Sequence, residues 1–250
     1  MLEIKGLTKN FGGLTAINDV DITVKKGDIL GLIGPNGAGK TTLFNLITGF
    51  LRPTEGSLIF EKKEITGKST HSIAKLGIVR TFQANNICPA FTVLENVSLA
   101  KHLTPRINMF ETVFRTPASS RKERMILEQC STILDLVGMS TMAGVQAKVL
   151  SQGHKRLLGI AIALAADPKI LLLDEPLGGM NSSEVDETIK VINRLWEGGI
   201  TIVIIEHNMR AAMSLCKRIA VLNFGKKIAE GSPAEMKSNR NVIQAYLGTH

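Results

Sequence analysis

A glycine-rich loop that contains one lysine carries the strongest chemical signal in the sequence. It reads Gly34-Pro-Asn-Gly-Ala-Gly-Lys-Thr41 and matches the pattern G-x-x-x-x-G-K-[ST]. Its glycines let successive backbone N–H groups turn inward, and a helix that begins near Lys40 adds the positive end of its dipole. A loop of this kind holds the phosphates of a nucleoside triphosphate. We expect Lys40 to reach the β- and γ-phosphates and Thr41 to ligate Mg²⁺.

Two neighbouring carboxylates form the second chemical signal. Asp174 and Glu175 directly follow the apolar residues 170–173, which have the length and composition of a buried strand. Ligands of open α/β sheets bind at the carboxyl ends of the strands. We therefore expect Asp174 to hold Mg²⁺ and Glu175 to orient or activate the attacking water. Without the phosphate loop, the same pair would indicate only a strand that ends in a solvated turn.

The elements that must position these groups follow an alternating pattern. Short apolar strand candidates are separated by stretches of helical length, which predicts an α/β fold with a mostly parallel sheet. Between about residues 84 and 158 the strand candidates disappear, and a helix is predicted over 120–137. Residues 103–117 indicate a loop or a short helix without a readable role. The strand candidates are residues 29–33, 58–60, 78–80, 170–173, 201–205 and 219–223.

Composition narrows the class of protein. The 250 residues, 44% of them hydrophobic, suffice for one globular domain. No apolar run reaches the roughly 18 residues of a membrane-spanning helix, and no secretory signal is recognisable, so we expect cytoplasmic residence. The net charge of +8 is dispersed along the chain and aromatic residues are few, which argues against nucleic acid as a partner. The cysteines Cys88, Cys130 and Cys216 form no zinc or disulfide pattern.

The order of several motifs resembles that of ABC ATPase cassettes over essentially the whole chain. These motifs are the phosphate loop, Gln83, the segment Leu-Ser-Gln-Gly-His at 150–154, the acid-tipped strand, Asn181 and His207. The resemblance implies a RecA-like P-loop NTPase core, an N-terminal antiparallel β subdomain and an inserted helical subdomain. It divides the single domain 1–250 into a nucleotide-binding core, residues 1–83 and 159–250, and a helical subdomain, residues 84–158.

The resemblance also implies a role for each site residue, with ATP or ADP and Mg²⁺ as ligands. Ser151 and Gly153 would contact the γ-phosphate of ATP held by a second subunit, and Ser151 also fits an N-cap. The implied catalytic residues are Lys40, Gln83, Glu175 and His207, and the implied metal ligands are Thr41, Gln83 and Asp174. The implied nucleotide contacts are Phe11, which would stack on adenine, Gly34, Pro35, Asn36, Gly37, Ala38, Gly39, Lys40, Thr41, Thr42, Ser151 and Gly153.

Plainer interpretations stay open at several of these positions. Ser151 could cap a core helix, Gln83 could lie on the surface, and His207 could cap a helix. Phe11 could instead pack against neighbouring residues, since the family more often has tyrosine at the position that stacks on adenine. The chain also departs from the family pattern: Gln152 and His154 replace a glycine and a glutamine of Leu-Ser-Gly-Gly-Gln, and Asn181 stands where aspartate is usual. Reduced or partner-dependent activity is one consequence to expect.

Five stretches are similar to the cassettes of branched-chain (hydrophobic) amino acid importers: residues 11–18, 45–49, 80–83, 205–209 and 245–248. This implies a second cassette, identical or not, two membrane permeases, an external solute-binding protein, and a location on the inner face of the membrane. A surface near Ile87, Phe91, Val93 and Leu94 would receive a permease helix, unless these residues belong to the core. The alternatives are urea or amide import, lipid or lipopolysaccharide export, a soluble ABC ATPase, and a P-loop kinase or GTPase.

Overall fold

The computed structural model of the protein describes residues 1–81, 87–103, 117–207 and 209–247. Its chain forms two compact units. The first unit comprises Met1–Arg80, Lys169–Pro176 and Trp196–His250, and the second comprises Thr81–Pro168 and Leu177–Leu195. The sequence predicted a division by function, with a helical subdomain at residues 84–158, whereas these units are defined by compactness. The functional division therefore stays a prediction.

The first unit contains an antiparallel sheet at its N-terminal end. Its strands lie in the order β2-β1-β4-β5. They pair in an antiparallel manner throughout, and their inward-facing aliphatic residues belong to one large hydrophobic cluster. The strands are β1 (Leu2–Phe11), β2 (Leu14–Val24), β4 (Glu55–Phe60) and β5 (Lys63–Glu64).

The second sheet of this unit has six strands and carries the chemistry. Their order is β10-β9-β3-β8-β7-β6, and every neighbouring pair is parallel except β9 with β10. Strands β3, β7 and β8 are buried at every residue, as continuous apolar runs in a parallel sheet should be. The strands are β3 (Ile29–Ile33), β6 (Ile78–Arg80), β7 (Ile170–Asp174), β8 (Thr201–Glu206), β9 (Arg218–Asn223) and β10 (Lys226–Gly231).

Five helices accompany the two sheets. The first of them, α1, starts at the phosphate loop and buries its apolar face in the same cluster as the N-terminal strands. The last two follow strand β10 at the C-terminal end, and a Ser232–Glu235 capping box starts the first of this pair. These helices are α1 (Lys40–Ile47), α2 (Thr70–Leu76), α7 (Met209–Leu215), α8 (Pro233–Ser238) and α9 (Arg240–Leu247).

The second unit is helical. It contains α3 (Val93–Leu103), α4 (Pro117–Leu136), α5 (Gln152–Leu164) and most of α6 (Ser182–Glu197). Buried aliphatic residues from α3, α4 and α5, together with Cys130, form its interior. Lys101 on α3 donates to both oxygens of Asp167, which follows α5. The helix predicted over residues 120–137 is confirmed, with its start three residues earlier.

The α/β fold with a mostly parallel sheet is therefore confirmed, and so are the predicted strands within one to three residues at their ends. The sequence patterns did not mark β2, β5 and β10 as strands, because these strands are short or half exposed and carry charged residues. All three cysteines are free thiols. Among the described residues, no helix combines the length and the apolar character needed to cross a membrane.

Candidate functional site

The phosphate loop connects the end of β3 to the start of α1, as its sequence pattern predicts. Gly34 has φ of 155°, and a Cβ atom there would lie 2.1 Å from the carbonyl oxygen of Leu222. Only glycine fits that position. Gly39 is the N-cap of α1, and within the described residues no side chain caps this helix end. The first backbone N–H groups of α1 are consequently available to an anionic ligand.

Lys40 is buried within its own loop. Its side-chain nitrogen donates to the carbonyl oxygens of Gly34, at 2.7 Å, and Pro35, at 2.9 Å. Burial lowers the pKa of Lys40, and the negative charges of Glu175 and Asp174 partly oppose this effect. A phosphate offers an ammonium group stronger, charge-assisted hydrogen bonds than two backbone carbonyls do. The loop thus holds a preformed cation beside its glycine backbone.

A cavity of about 460 Å³ opens beside the phosphate loop. Residues 36–42 of the loop and Glu175 form one part of its wall. Phe11, Leu14 and Phe224 contribute exposed apolar side chains to the remainder. The cavity therefore combines a phosphate-binding surface with an apolar surface, as a nucleotide requires. Thr15, Ala16 and Gly225 complete the lining.

Asp174 ends strand β7 in a buried ion pair. Its Oδ2 atom lies 2.5 Å from a guanidinium nitrogen of Arg80, and both side chains are about 10% exposed. Arg80 ends the neighbouring parallel strand β6, and its other terminal nitrogen donates to Oδ1 of Asn45 at 2.6 Å. The guanidinium also lies over the ring of Phe44. Arg80 therefore compensates the charge of Asp174 and fixes its position.

The residues around Asp174 fit a magnesium site of the kind that nucleotides complete. Among the described residues no group of three or more His, Cys, Asp or Glu side chains could hold a metal ion alone. Mg²⁺ commonly binds through one or two carboxylates, with phosphate oxygens and waters as the other ligands. Asp174 and Thr41 supply a donor set of that size. Gln83, the other predicted ligand, lies outside the described residues.

Glu175 and His207 follow adjacent parallel strands, so both lie at the same edge of the sheet. Glu175 adopts φ of 47°, which is uncommon for a residue with a side chain, and its backbone N–H donates to Ile205. Its Oε1 atom lies 3.6 Å from Nδ1 of His207, and both side chains are partly exposed. The sheet thus brings together the acid and the imidazole that the sequence predicted at this edge.

The predicted signature segment begins α5 in the second unit, and Ser151 is its N-cap, as predicted. The Ser151 hydroxyl oxygen accepts from the backbone N–H of His154 at 3.3 Å and lies 2.8 Å from its Nδ1. The hydroxyl itself donates to Oε1 of Glu184 at 2.6 Å, and the same oxygen accepts from Gly153 N–H at 3.2 Å. A carboxylate of the same chain therefore holds the donors at this helix end.

Glu184 is fixed in turn by the start of α6. Its Oε2 atom accepts from the backbone N–H of Asn181 at 3.1 Å, and Oδ1 of Asn181 accepts from the Glu184 N–H at 3.0 Å. This reciprocal pair is a capping box. The hydrogen bonds from Ser151, Asn181 and Gly153, in that order, lower the pKa of Glu184. Glu184 thereby links the signature segment to the loop that contains Asn181.

Three residues of these networks had no role predicted from the sequence: Arg80, Glu184 and Phe224. Two of them carried a usable signal. Arg80 ends a strand predicted to be parallel to the acid-tipped strand, and parallel strands end at the same edge. The pattern Asn181-Ser-Ser-Glu184 has the spacing of a capping box. Phe224 carried no signal, because its position depends on which strands neighbour the phosphate loop.

Comparison with known proteins defines the class. The family model described as "ABC transporter" matches residues 17–178, and that of the branched-chain amino acid ATP-binding cassette transporter matches residues 226–250. The high-affinity branched-chain amino acid transport ATP-binding protein BraF of Pseudomonas aeruginosa is 41% identical over 99% of this chain and 98% of its own. A probable branched-chain amino acid transport ATP-binding protein of Archaeoglobus fulgidus is 36% identical over 99% and 95%, respectively.

Solved structures agree. The ADP conformation of an ATP-binding cassette of an ABC transporter superposes with a TM-score of 0.87 at 34% identity, covering 100% of this chain and 99% of that one. A dimeric, post-hydrolysis cassette bound to ADP and phosphate gives 0.73 at 28% identity, covering 93% and 99%. The chain belongs to the ABC transporter family, as one of its ATP-hydrolysing cassettes. The relatives named above are ATP-binding proteins of branched-chain amino acid transport.

Proposed function

We propose that this cassette hydrolyses ATP to energise an importer of branched-chain amino acids. The observation that carries the proposal is the identity of 41% with a branched-chain amino acid transport ATP-binding protein over almost the whole of both chains. The match of residues 226–250 to a model specific for such cassettes supports the same solute class. Urea or amide import and lipid export remain the alternatives that an uptake measurement must separate.

The site residues divide the work of hydrolysis. In our proposal, residues 34–42 and the Lys40 ammonium bind the phosphates, and Phe11 contacts the adenine. Glu175 accepts a proton from the attacking water, while His207 and Gln83 contact the γ-phosphate and the water. Asp174 and Thr41 would hold Mg²⁺, which neutralises charge on the phosphates when bound. The buried ion pair with Arg80 keeps the carboxylate of Asp174 oriented for this task.

A second cassette completes the site in this proposal. Ser151 and Gly153 of one chain would contact the γ-phosphate of ATP on the phosphate loop of the other. The dimeric cassette bound to ADP and phosphate supports an arrangement of two chains. The core, residues 1–83 and 159–250, would bind the nucleotide, and residues 84–158 would present the signature segment. Closure stabilised by ATP and reopening after hydrolysis would then drive the partner proteins.

The partners are two permeases and an external solute-binding protein, with the cassette on the cytoplasmic face of the membrane. Of the four residues proposed to receive a permease helix, Phe91 is exposed, Ile87 and Leu94 are half-buried, and Val93 is buried. Phe91 is therefore the residue best placed to contact a partner. Val93 serves the interior of the helical unit.

The experiment is ATP-dependent uptake of labelled leucine in cells that carry the whole transporter. Cells with Glu175→Gln should lose uptake at equal expression, whereas the exposed control Glu64→Gln should keep it. Purified Glu175→Gln protein should bind ATP and hydrolyse it at least about 100-fold more slowly. Leucine uptake that persists in Glu175→Gln cells would overturn the proposed solute. Hydrolysis by Glu175→Gln at the wild-type rate would overturn the role of Glu175.

A further inference from the structure

A two-residue turn between β9 and β10 places an exposed aromatic ring at the nucleotide cavity. Asn223 and Lys226 pair across the hairpin, so Phe224 and Gly225 are its central residues. Their φ angles are 46° and 76°, which defines a hairpin turn that favours Asn and Gly. A phenylalanine is strained in this conformation, and the residue is 85% exposed. Neither the turn conformation nor burial explains why a phenylalanine occupies this position.

The turn is fastened to the phosphate loop and to strand β2. Gly225 N–H donates to the carbonyl oxygen of Ala38 in the phosphate loop at 3.1 Å, and Asn18 N–H donates to the Gly225 carbonyl at 2.9 Å. A Cβ atom on Gly225 would lie 2.7 Å from the carbonyl oxygen of Ala16, so the contact is too close for any other residue. Phe224 is therefore held at a fixed position relative to the phosphate-binding groups.

The cavity has two chemically different parts. The phosphate loop and Lys40 provide backbone donors and a cation. Phe224 lines the same cavity with two other exposed apolar side chains, Phe11 (45%) and Leu14 (67%). Large apolar side chains gathered at one cavity without burial indicate a ligand surface. Since the phosphate-binding part adjoins it, a planar group attached to a polyphosphate matches this surface best.

We propose that Phe224 contacts the nucleobase and, with Phe11, forms the apolar surface that binds it. The proposal rests on the ATP-binding role proposed above. Every base has an aromatic face, so binding through apolar contact discriminates poorly among bases. Strong discrimination requires hydrogen bonds to the edges of the base. The site accordingly accepts ATP and GTP with affinities within about fivefold of each other.

The test compares Phe224→Asn with the wild-type protein. Asparagine favours the turn conformation, so this variant removes the ring without disturbing the hairpin. We expect its dissociation constants for ATP and GTP to rise about 10-fold, while that for inorganic tripolyphosphate stays within about twofold. Phe224→Trp should retain ATP binding. The control is Phe50→Ala, which removes an exposed ring that does not line the cavity and should change neither constant.

Three outcomes would overturn the inference: unchanged ATP affinity in Phe224→Asn, equal weakening of tripolyphosphate and ATP, or wild-type affinities for ATP and GTP that differ by more than about 100-fold. Failure of the ATP-binding role proposed above is distinguishable, because the wild-type protein itself would then not bind ATP. Thermal unfolding of each variant, expected at or above the wild-type temperature for Phe224→Asn, separates lost contact from lost folding.

Discussion

Two helices of this molecule, α1 and α5, start with ends suited to an anion, and the two ends differ in what occupies them. At α1 the N-cap is a glycine, no side chain of the described residues caps the helix, and Lys40 and a cavity lie beside it. At α5 the Ser151 hydroxyl and the Gly153 N–H both donate to Glu184 of the same chain. The first end is ready for a phosphate, whereas the second already holds a carboxylate.

From this difference we infer that the start of α1 can bind ATP within a single chain, whereas the start of α5 cannot. A ligand at α1 replaces only backbone carbonyls as partners of Lys40. A phosphate that approaches Ser151 and Gly153 must displace the carboxylate of Glu184 or share with it the hydrogen bonds that these two residues donate. A phosphate can therefore bind at the signature segment only if another protein already holds it in position, so that it competes well with Glu184. The ATP that a second chain holds in our proposal meets this requirement.

The largest expected effect concerns the buried ion pair between Asp174 and Arg80. Arg80→Gln should lower the free energy of unfolding by about 3 kcal/mol, because it removes one partner of a buried ion pair. Denaturant unfolding measures this change. Lys169→Gln is the matched control, since it breaks an ion pair with Glu61 whose side chains are about half exposed. The control should cost less than about 1 kcal/mol. Equal losses in the two variants would contradict the role given to Arg80.

Lys40→Ala should weaken ATP binding to the isolated chain about 100-fold, because two charge-assisted contacts to phosphate disappear. Titration calorimetry measures the affinity. Lys75→Ala removes an exposed lysine from α2 in the same unit and should leave the affinity unchanged. If Lys40→Ala bound ATP as the wild type does, the phosphate-binding role of α1 would be wrong.

Ser151→Ala should leave the ATP affinity of the isolated chain within about twofold of wild type but reduce turnover by about 10- to 100-fold. A steady-state phosphate-release assay measures the turnover. Ser232→Ala, which removes the N-cap of α8, serves as control, since both variants lose a helix cap. A matching loss of turnover in Ser232→Ala would attribute the effect to stability instead.

The smallest effect is the pH dependence of Glu184. Its pKa in the folded chain lies below the ordinary value of 4.5, so its hydrogen bonds stabilise the fold above that pH. This contribution is lost as the pH falls through the lowered pKa. The difference in unfolding free energy between wild type and Glu184→Gln should therefore shrink as the pH falls from about 6 through 4.5 and past the lowered pKa of Glu184. Glu187→Gln, an exposed carboxylate of the same helix, is the control.

The same comparison indicates what the sequence alone could predict. The phosphate loop is local: strand, glycines, lysine and helix follow one another, so pattern and structure agree from Ile29–Ile33 onward. Asp174 and Glu175 were predictable because a buried strand ends there. The partners Arg80, Glu184 and Phe224 lie far along the chain from the groups they serve. Their identity depends on strand order and loop approach, which hydrophobic periodicity does not specify.

The most direct test of the account is the number of ATP molecules that one isolated chain binds, measured by calorimetric titration at concentrations where the chain is monomeric. We expect one site per chain, with an affinity about 100-fold lower in Lys40→Ala and within about twofold of wild type in both Ser151→Ala and Glu184→Gln. A second site in the wild type, or loss of binding in Ser151→Ala, would mean that the signature segment binds ATP within its own chain. Either result would contradict the inference that the start of α1 binds ATP within one chain and the start of α5 does not.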